Sequence, residues 1–186
     1  MFIQTEQTPN PATLKFLPGR TISETGPVDF TNSRDAENRS PLALRLFEIE
    51  GVEAVFFGRD FITITKNSGK EWHVLKPAIL GAMMEYLTTG TPIMSNDSRE
   101  GLKVIDEANE DPVVTQIKEL IDTRVRPAVA QDGGDIVFEG FDEGIVYLQM
   151  RGACAGCPSS TMTLKMGIEN MLKHYIPEVT EVRAAL

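Results

Sequence analysis

The chain has 186 residues, 41% of them hydrophobic and 24% charged, a composition that excludes disordered and collagen-like classes and suits one large or two small globular domains. Its formal charge of -9 and the lack of any Lys and Arg cluster exclude a phosphate-binding footprint, so no nucleic-acid partner is expected. No segment approaches the roughly 20 apolar residues of a membrane span, and the start of the chain has neither a secretory nor an organelle-leader pattern, so the expected compartment is a bacterial cytoplasm, or the mitochondrial matrix for a mature form.

In chain order, "TLKFLPG" and "FITIT" read as strands, and residues 52–65 as a hairpin turning near Gly58, Arg59 and Asp60 with Ile62 and Ile64 facing a core. Between the two strands, "SPLALRLF" predicts a short helix with Ser40 as N-cap and Pro41 at its first position. Trp72, Leu75, Ile79, Met83 and Leu87 recur at helical spacing up to Gly90, with a kink or restart expected at Lys76 and Pro77. Residues 91–112 lose this periodicity and are rich in Asp, Glu, Asn and Ser, which marks a solvated linker. The division expected is a first domain over 1–92, a flexible acidic linker over 93–111, and a second domain over 112–186.

The second domain opens on a helix after Asp111, with Val113, Ile117, Leu120 and Ile121 on one face and an interruption expected at Pro127 and Gly133. "DIVFEGF" and "GIVYLQM", joined through Asp142, Glu143 and Gly144, predict antiparallel neighbours that bring Ile136 and Phe138 against Val146, Leu148 and Met150. A helix from about Ser159, with Leu164, Ile168, Met171 and Tyr175 on one face, and a last short strand "VTEVRAA" complete the order αββαβ with a small mixed sheet. The fold class expected for both domains is α+β.

The only two cysteines, Cys154 and Cys157, stand between a strand end and this last helix in "RGACAGCPSS". Gly152 and Gly156 let the backbone fold closely around a bound group, and Pro158 with Ser159 and Ser160 starts a helix whose positive end favours thiolate. Between Glu143 and Glu169 the chain has no Asp or Glu, while Arg151 and Lys165 fall in the gap, so added negative charge is tolerated there. Three chemistries stay open beside the plain reading of two thiols packed in a core, which suits isolated cysteines better than this Gly-rich, Pro-ended loop. A thioredoxin-like dithiol would follow a βαβ unit, whereas a hairpin precedes these thiols. Zinc needs four ligands, and the two imidazoles, His73 and His174, lie outside the loop. An iron-sulfur cluster also asks for four thiolates, which two chains related by a twofold axis would supply. The turn from Asp132 to Asp135 is expected to set backbone geometry through its glycines rather than to bind metal, and Met150, Met162, Met166 and Met171 to fill core or interface. "TPNPATLKF" reads as a stiff turn entering a strand.

Residues 131–173, with the Asp132-Gly133-Gly134-Asp135 turn, the Gly-x-Cys-x-x-Cys-Pro loop and the following helix, closely resemble the C-terminal domain of NifU-like (Nfu) iron-sulfur scaffold and carrier proteins. "TPNPATLKF" and "GVEAVFFGRDFITIT" resemble the Nfu N-terminal domain, so the likeness covers nearly the whole chain. It implies a 4Fe-4S cluster bridged between two subunits by Cys154 and Cys157 of each, a cluster-linked homodimer, and transfer to apo-proteins after loading by upstream assembly proteins, with no turnover chemistry. The alternative carried with it is a dithiol-disulfide oxidoreductase using the same cysteine pair, and a third is a zinc-bridged dimer.

Overall fold

The computed structural model describes residues 2–95, 111–156 and 158–185. The chain divides into two units, Met1–Leu102 and Lys103–Leu186. The expected linker falls largely on residues 96–110, outside the described residues.

The first unit is a five-stranded antiparallel sheet of β1 (Gln4–Gln7), β2 (Thr13–Leu17), β3 (Val28–Phe30), β4 (Val52–Phe57) and β5 (Ile62–Lys66), in the order β1-β2-β5-β4-β3. Helices α1 (Ser33–Glu37), α2 (Pro41–Phe47) and α3 (Trp72–Thr88) belong to the same unit. Ser40 caps α2 as expected, its Oγ accepting the Ala43 N–H at 3.1 Å, and it also donates to the Ile93 carbonyl at 2.6 Å. Ile93 is buried in this unit's core and the Ser95 N–H bonds the Arg39 carbonyl, so ordered packing continues to Ser95. Helix α3 runs unbroken through Pro77, its sixth residue, at the loss of one backbone donor, and buries Leu75, Ile79, Met83 and Leu87 in the core with Phe16, Phe57, Ile62 and Ile64. In the TPNP turn, Asn10 Oδ1 accepts the Ala12 N–H at 3.0 Å, and Trp72 Nε1 clamps the Pro11 carbonyl at 3.0 Å.

The second unit begins with a helix that continues through Pro127. It comprises α4 (Pro112–Leu120), a π-helical turn (Ile121–Val125) and α5 (Arg126–Gln131). Pro127 has no N–H to give, and the Arg126 N–H reaches back five residues to the Ile121 carbonyl, so the helix widens where a break was expected. The buried residues Ile117, Ile121, Val125 and Val129 recur every four positions, a step that overshoots one α-turn by about 40°; the wide turn takes up that drift and keeps all four on the core.

Strands β6 (Gly134–Asp142) and β7 (Ile145–Gly152) pair antiparallel around a tight turn with Glu143 at φ 46° and Gly144 at φ 83°, and β8 (Glu181–Ala184) adds parallel to β7. Helix α6 (Pro158–Tyr175) is the crossover between β7 and β8. The pairing Ile136–Met150 and Phe138–Leu148 follows the expected face, with a bulge at Glu139. On α6 the buried stripe carries Ile168 and Leu172, and Tyr175 is exposed, contrary to expectation, with Arg124 over its ring. Among the described residues no helix is long and apolar enough to cross a membrane.

Edge strand β8 is held by Glu169 on α6, whose carboxylate accepts the Val182 N–H at 3.0 Å and Lys173 Nζ at 2.6 Å. These bonds, Lys173 first, hold the Glu169 carboxyl below the usual value of 4.5. A depressed folded-state pKa contributes stability that is fully present above the unfolded value and lost as pH falls through the folded one. The melting-temperature gap between wild type and Glu169→Gln should therefore be constant above pH 4.5 and close in more acid solution; a gap independent of pH throughout would refute the assignment.

Candidate functional site

The cysteine loop is built by two chain reversals that meet. β7 ends at Gly152, and from there the Cys154 N–H donates to the Arg151 carbonyl at 3.3 Å and the Ala155 N–H to the Gly152 carbonyl at 3.1 Å, so the backbone curls at once instead of extending. Gly152 (φ 61°) and Gly156 (φ 71°) occupy the left-handed region that such a curl requires. On the neighbouring side, the helix ending at Gln131 turns through Asp132 and Gly133 into β6, whose first residue, Gly134, stands opposite Gly152. The Gly133 carbonyl accepts the Ala153 N–H at 3.2 Å, joining the two reversals.

This arrangement divides the loop into an inner and an outer half. Ala153 and Cys154 are buried, Cys154 at 6% exposure in the same core as Ile136, Leu148 and Leu172, whereas Ala155 and Gly156 are exposed. Helix α6 starts at Pro158, in agreement with the expected N-terminal proline. Cys157, the second expected ligand, and the side chains of Ser159 and Ser160 lie outside the described residues.

The Asp132–Asp135 turn is structural in a way that differs from expectation at one glycine. Gly133 has positive φ (81°), but Gly134 does not; a Cβ on Gly134 would fall 2.4 Å from Cys154 Sγ, so space and not backbone conformation requires glycine there. Asp135, at 3% exposure, is engaged by Arg126, with Nε to Oδ1 at 2.8 Å and Nη2 to Oδ2 at 3.0 Å, and Arg126 Nη1 also reaches Asp122 at 3.1 Å. The Asp135 bond leads in raising the Arg126 guanidinium's pKa further above its usual value. Sequence reasoning missed this pair, for the two residues lie on different elements; the only signal was a basic residue nine positions before a buried-strand aspartate.

Two carboxylates that flank the loop are committed elsewhere: Asp135, opposite Arg151 across the sheet, to Arg126, and Glu169, the first carboxylate after the loop in sequence, to Lys173 and Val182. Arg151 is bound through its guanidinium to Gln149 Oε1 at 2.6 and 2.9 Å. Among the described residues, no three His, Cys, Asp or Glu side chains converge on a point that could hold a metal ion. His174 is exposed in the last turn of α6, edge-to-face with Tyr175, and His73 lines a groove in the first unit with Trp72 and Lys76. The methionines divide: Met150 and Met171 pack against the core, while Met162 (69% exposed) and Met166 (59%) stand in solvent one turn apart on α6.

Residues 117–183 match the family model described as NifU-like domain, and residues 3–90 the one described as scaffold protein Nfu/NifU N terminal. The "NFU1 iron-sulfur cluster scaffold homolog, mitochondrial" of Homo sapiens is 50% identical over 187 residues, covering 100% of this chain and 72% of that protein. "NifU-like protein 4, mitochondrial" of Arabidopsis thaliana is 50% identical over 185 residues, covering 98% of this chain and 65% of the relative. A solution NMR structure of a NifU-like protein from Saccharomyces cerevisiae is similar at 30% identity with a TM-score of 0.47, covering 52% of this chain and 86% of that one. The chain spans less than two thirds of the length of relatives such as that of Drosophila sechellia, 64% of which it covers. The mitochondrial names of these relatives overturn the cytoplasmic expectation. That expectation rested on the residue pattern of the first residues, whereas the compartment is addressed by short targeting peptides and not by the fold of a domain.

Removing Arg126 leaves the Asp135 carboxylate buried without its cation, so Arg126→Met should cost about 3 kcal/mol in denaturant unfolding, and adding Asp135→Leu should restore most of the loss. A single variant that unfolds at the wild-type midpoint would show that the pair is not coupled to stability.

Proposed function

The chain belongs to the NifU-like (Nfu/NifU) family, and from that membership we propose that it is an iron-sulfur cluster scaffold and carrier, which binds a 4Fe-4S cluster between two copies of itself and passes it to apo-proteins. The cluster is cargo, received from upstream assembly proteins and surrendered to a target. Cys154 and Cys157 are its proposed ligands, two from each copy, which together make the four thiolates that such a cluster takes.

The observation that carries this reading is the loop at the β7–α6 junction, which lies inside the segment matching the NifU-like domain. The donor set suits iron: a cysteine pair entering a helix start, in a stretch from residue 144 to 168 that has no carboxylate to repel an anionic cluster. Release is the other half of the task. Each copy contributes only two ligands, so incoming thiolates can replace one pair as the copies separate, whereas four cysteines in one rigid pocket would retain the cluster. No turnover chemistry is required of the protein. The division of labour proposed is a cluster-bearing domain over 112–186, a linker over 93–111, and a domain over 1–92 outside the cluster site.

Anaerobic reconstitution with iron and sulfide tests the proposal. Wild type should develop broad visible absorption and form a dimer, while Cys154→Ser and Cys157→Ser should each lose both and keep the circular dichroism of the folded chain. A fully coloured cysteine variant would sink the ligand assignment, and disulfide reductase activity or colourless zinc uptake by wild type would favour the other two chemistries. The chain lacking residues 1–95 should still bind the cluster; failure to do so would show that the first domain contributes to the site.

A further inference from the structure

We infer that Gly134 is the positioning residue for the Cys154 thiol: the side chain it lacks is the recess in which Sγ lies, and this recess sets how far the thiol stands from an incoming iron. The inference rests on the reading of Cys154 as a cluster ligand. Its physical basis is steric. A Cβ at position 134 would meet Cys154 Sγ at 2.4 Å, the Cys154 backbone nitrogen at 2.9 Å and the Arg151 carbonyl at 3.0 Å. Rotating the cysteine side chain relieves only the first of these. The other two are backbone, so an alanine here displaces the loop as well as the thiol.

Gly134 itself has little freedom to retreat. It is paired with Gly152 across the sheet, its predecessor Gly133 accepts the Ala153 N–H, and its successor Asp135 is clamped by Arg126 through two bonds. The start of β6 is therefore the fixed wall, and the segment from Arg151 to Gly156 is the part that moves. With glycine at 134, Cys154 stays 6% exposed at the inner edge of a loop whose outer half, Ala155 and Gly156, faces solvent. Any larger residue expels the sulfur toward that outer half.

The test uses the full chain carrying Cys157→Ser, so that Cys154 is the only thiol, and follows iodoacetamide alkylation under native conditions relative to the same chain in denaturant. Gly134→Ala should raise the native rate about tenfold by exposing Sγ; an unchanged rate in a folded variant would overturn the inference. A second measurement guards against failure to fold. The stability cost of Gly134→Ala should be smaller in a Cys154→Ala background, where the sulfur is gone, and equal costs in the two backgrounds would also overturn it. Neither measurement involves iron, so the recess can stand even if Cys154→Ser retains its cluster and the ligand assignment falls. With both cysteines present, reconstituted Gly134→Ala should lose its visible absorption faster than wild type; identical decay would overturn the role toward iron.

Discussion

Strand β7 is hydrogen-bonded on both edges, antiparallel to β6 and parallel to β8, and the second unit is organised by that one constraint. An antiparallel neighbour can be reached by a tight turn, here Glu143 and Gly144, but a parallel neighbour cannot, so the chain must leave the far end of β7 and cross back through a helix. The cysteine loop is the start of that crossover. Its position at a strand end, beside a helix N-terminus, is thus a consequence of sheet topology before any demand of chemistry is considered.

The same topology brings the start of β6 to the end of β7, and two glycines meet there. Gly134 faces Gly152 across the sheet, and the lack of a side chain on the first makes room for Cys154 to enter the core. A polarizable thiol is a tolerable core residue, but one so placed can be reached from outside only if the loop is able to shift. Holding the wall firm while leaving the loop its freedom is the effect of the Arg126–Asp135 pair, whose bidentate geometry fixes β6 immediately after the glycine. The proposed work of the protein, taking up an anionic cluster and giving it away, asks for this combination of a defined ligand position and a reversible hold. The electrostatics around the loop are compatible with it, because Asp135 and Glu169 are already satisfied by cations or N–H groups of the chain.

Much of this was legible one element at a time. The hairpin β6–β7 follows from alternating apolar residues around a turn-forming tripeptide, and the Ser40 cap and the Leu75–Leu87 stripe from local rules of helix starts and helical spacing. The two prolines misled in the same way. Pro77 and Pro127 remove one donor each, but the buried stripe from Leu75 to Leu87 spans the first and a widened turn accommodates the second, so both helices continue where local rules place a break. Spacing alone puts Tyr175 on one face with Leu164, Ile168 and Met171, whereas Leu172 and Ile176 are the buried residues there and Tyr175 lies exposed beneath Arg124.

The sequence by itself determined the α+β class and the αββαβ order, and its thiol spacing singled out the two cysteines proposed as ligands, because periodicity, turn chemistry and spacing are all properties of neighbouring residues. Only the tertiary structure decided that Cys154 is an inner residue, that Gly134 is a glycine for reasons of space, and that Arg126 belongs with Asp135. Each of these is a contact between elements separated along the chain, and the distance across a sheet is set by packing, which no local pattern of residues records.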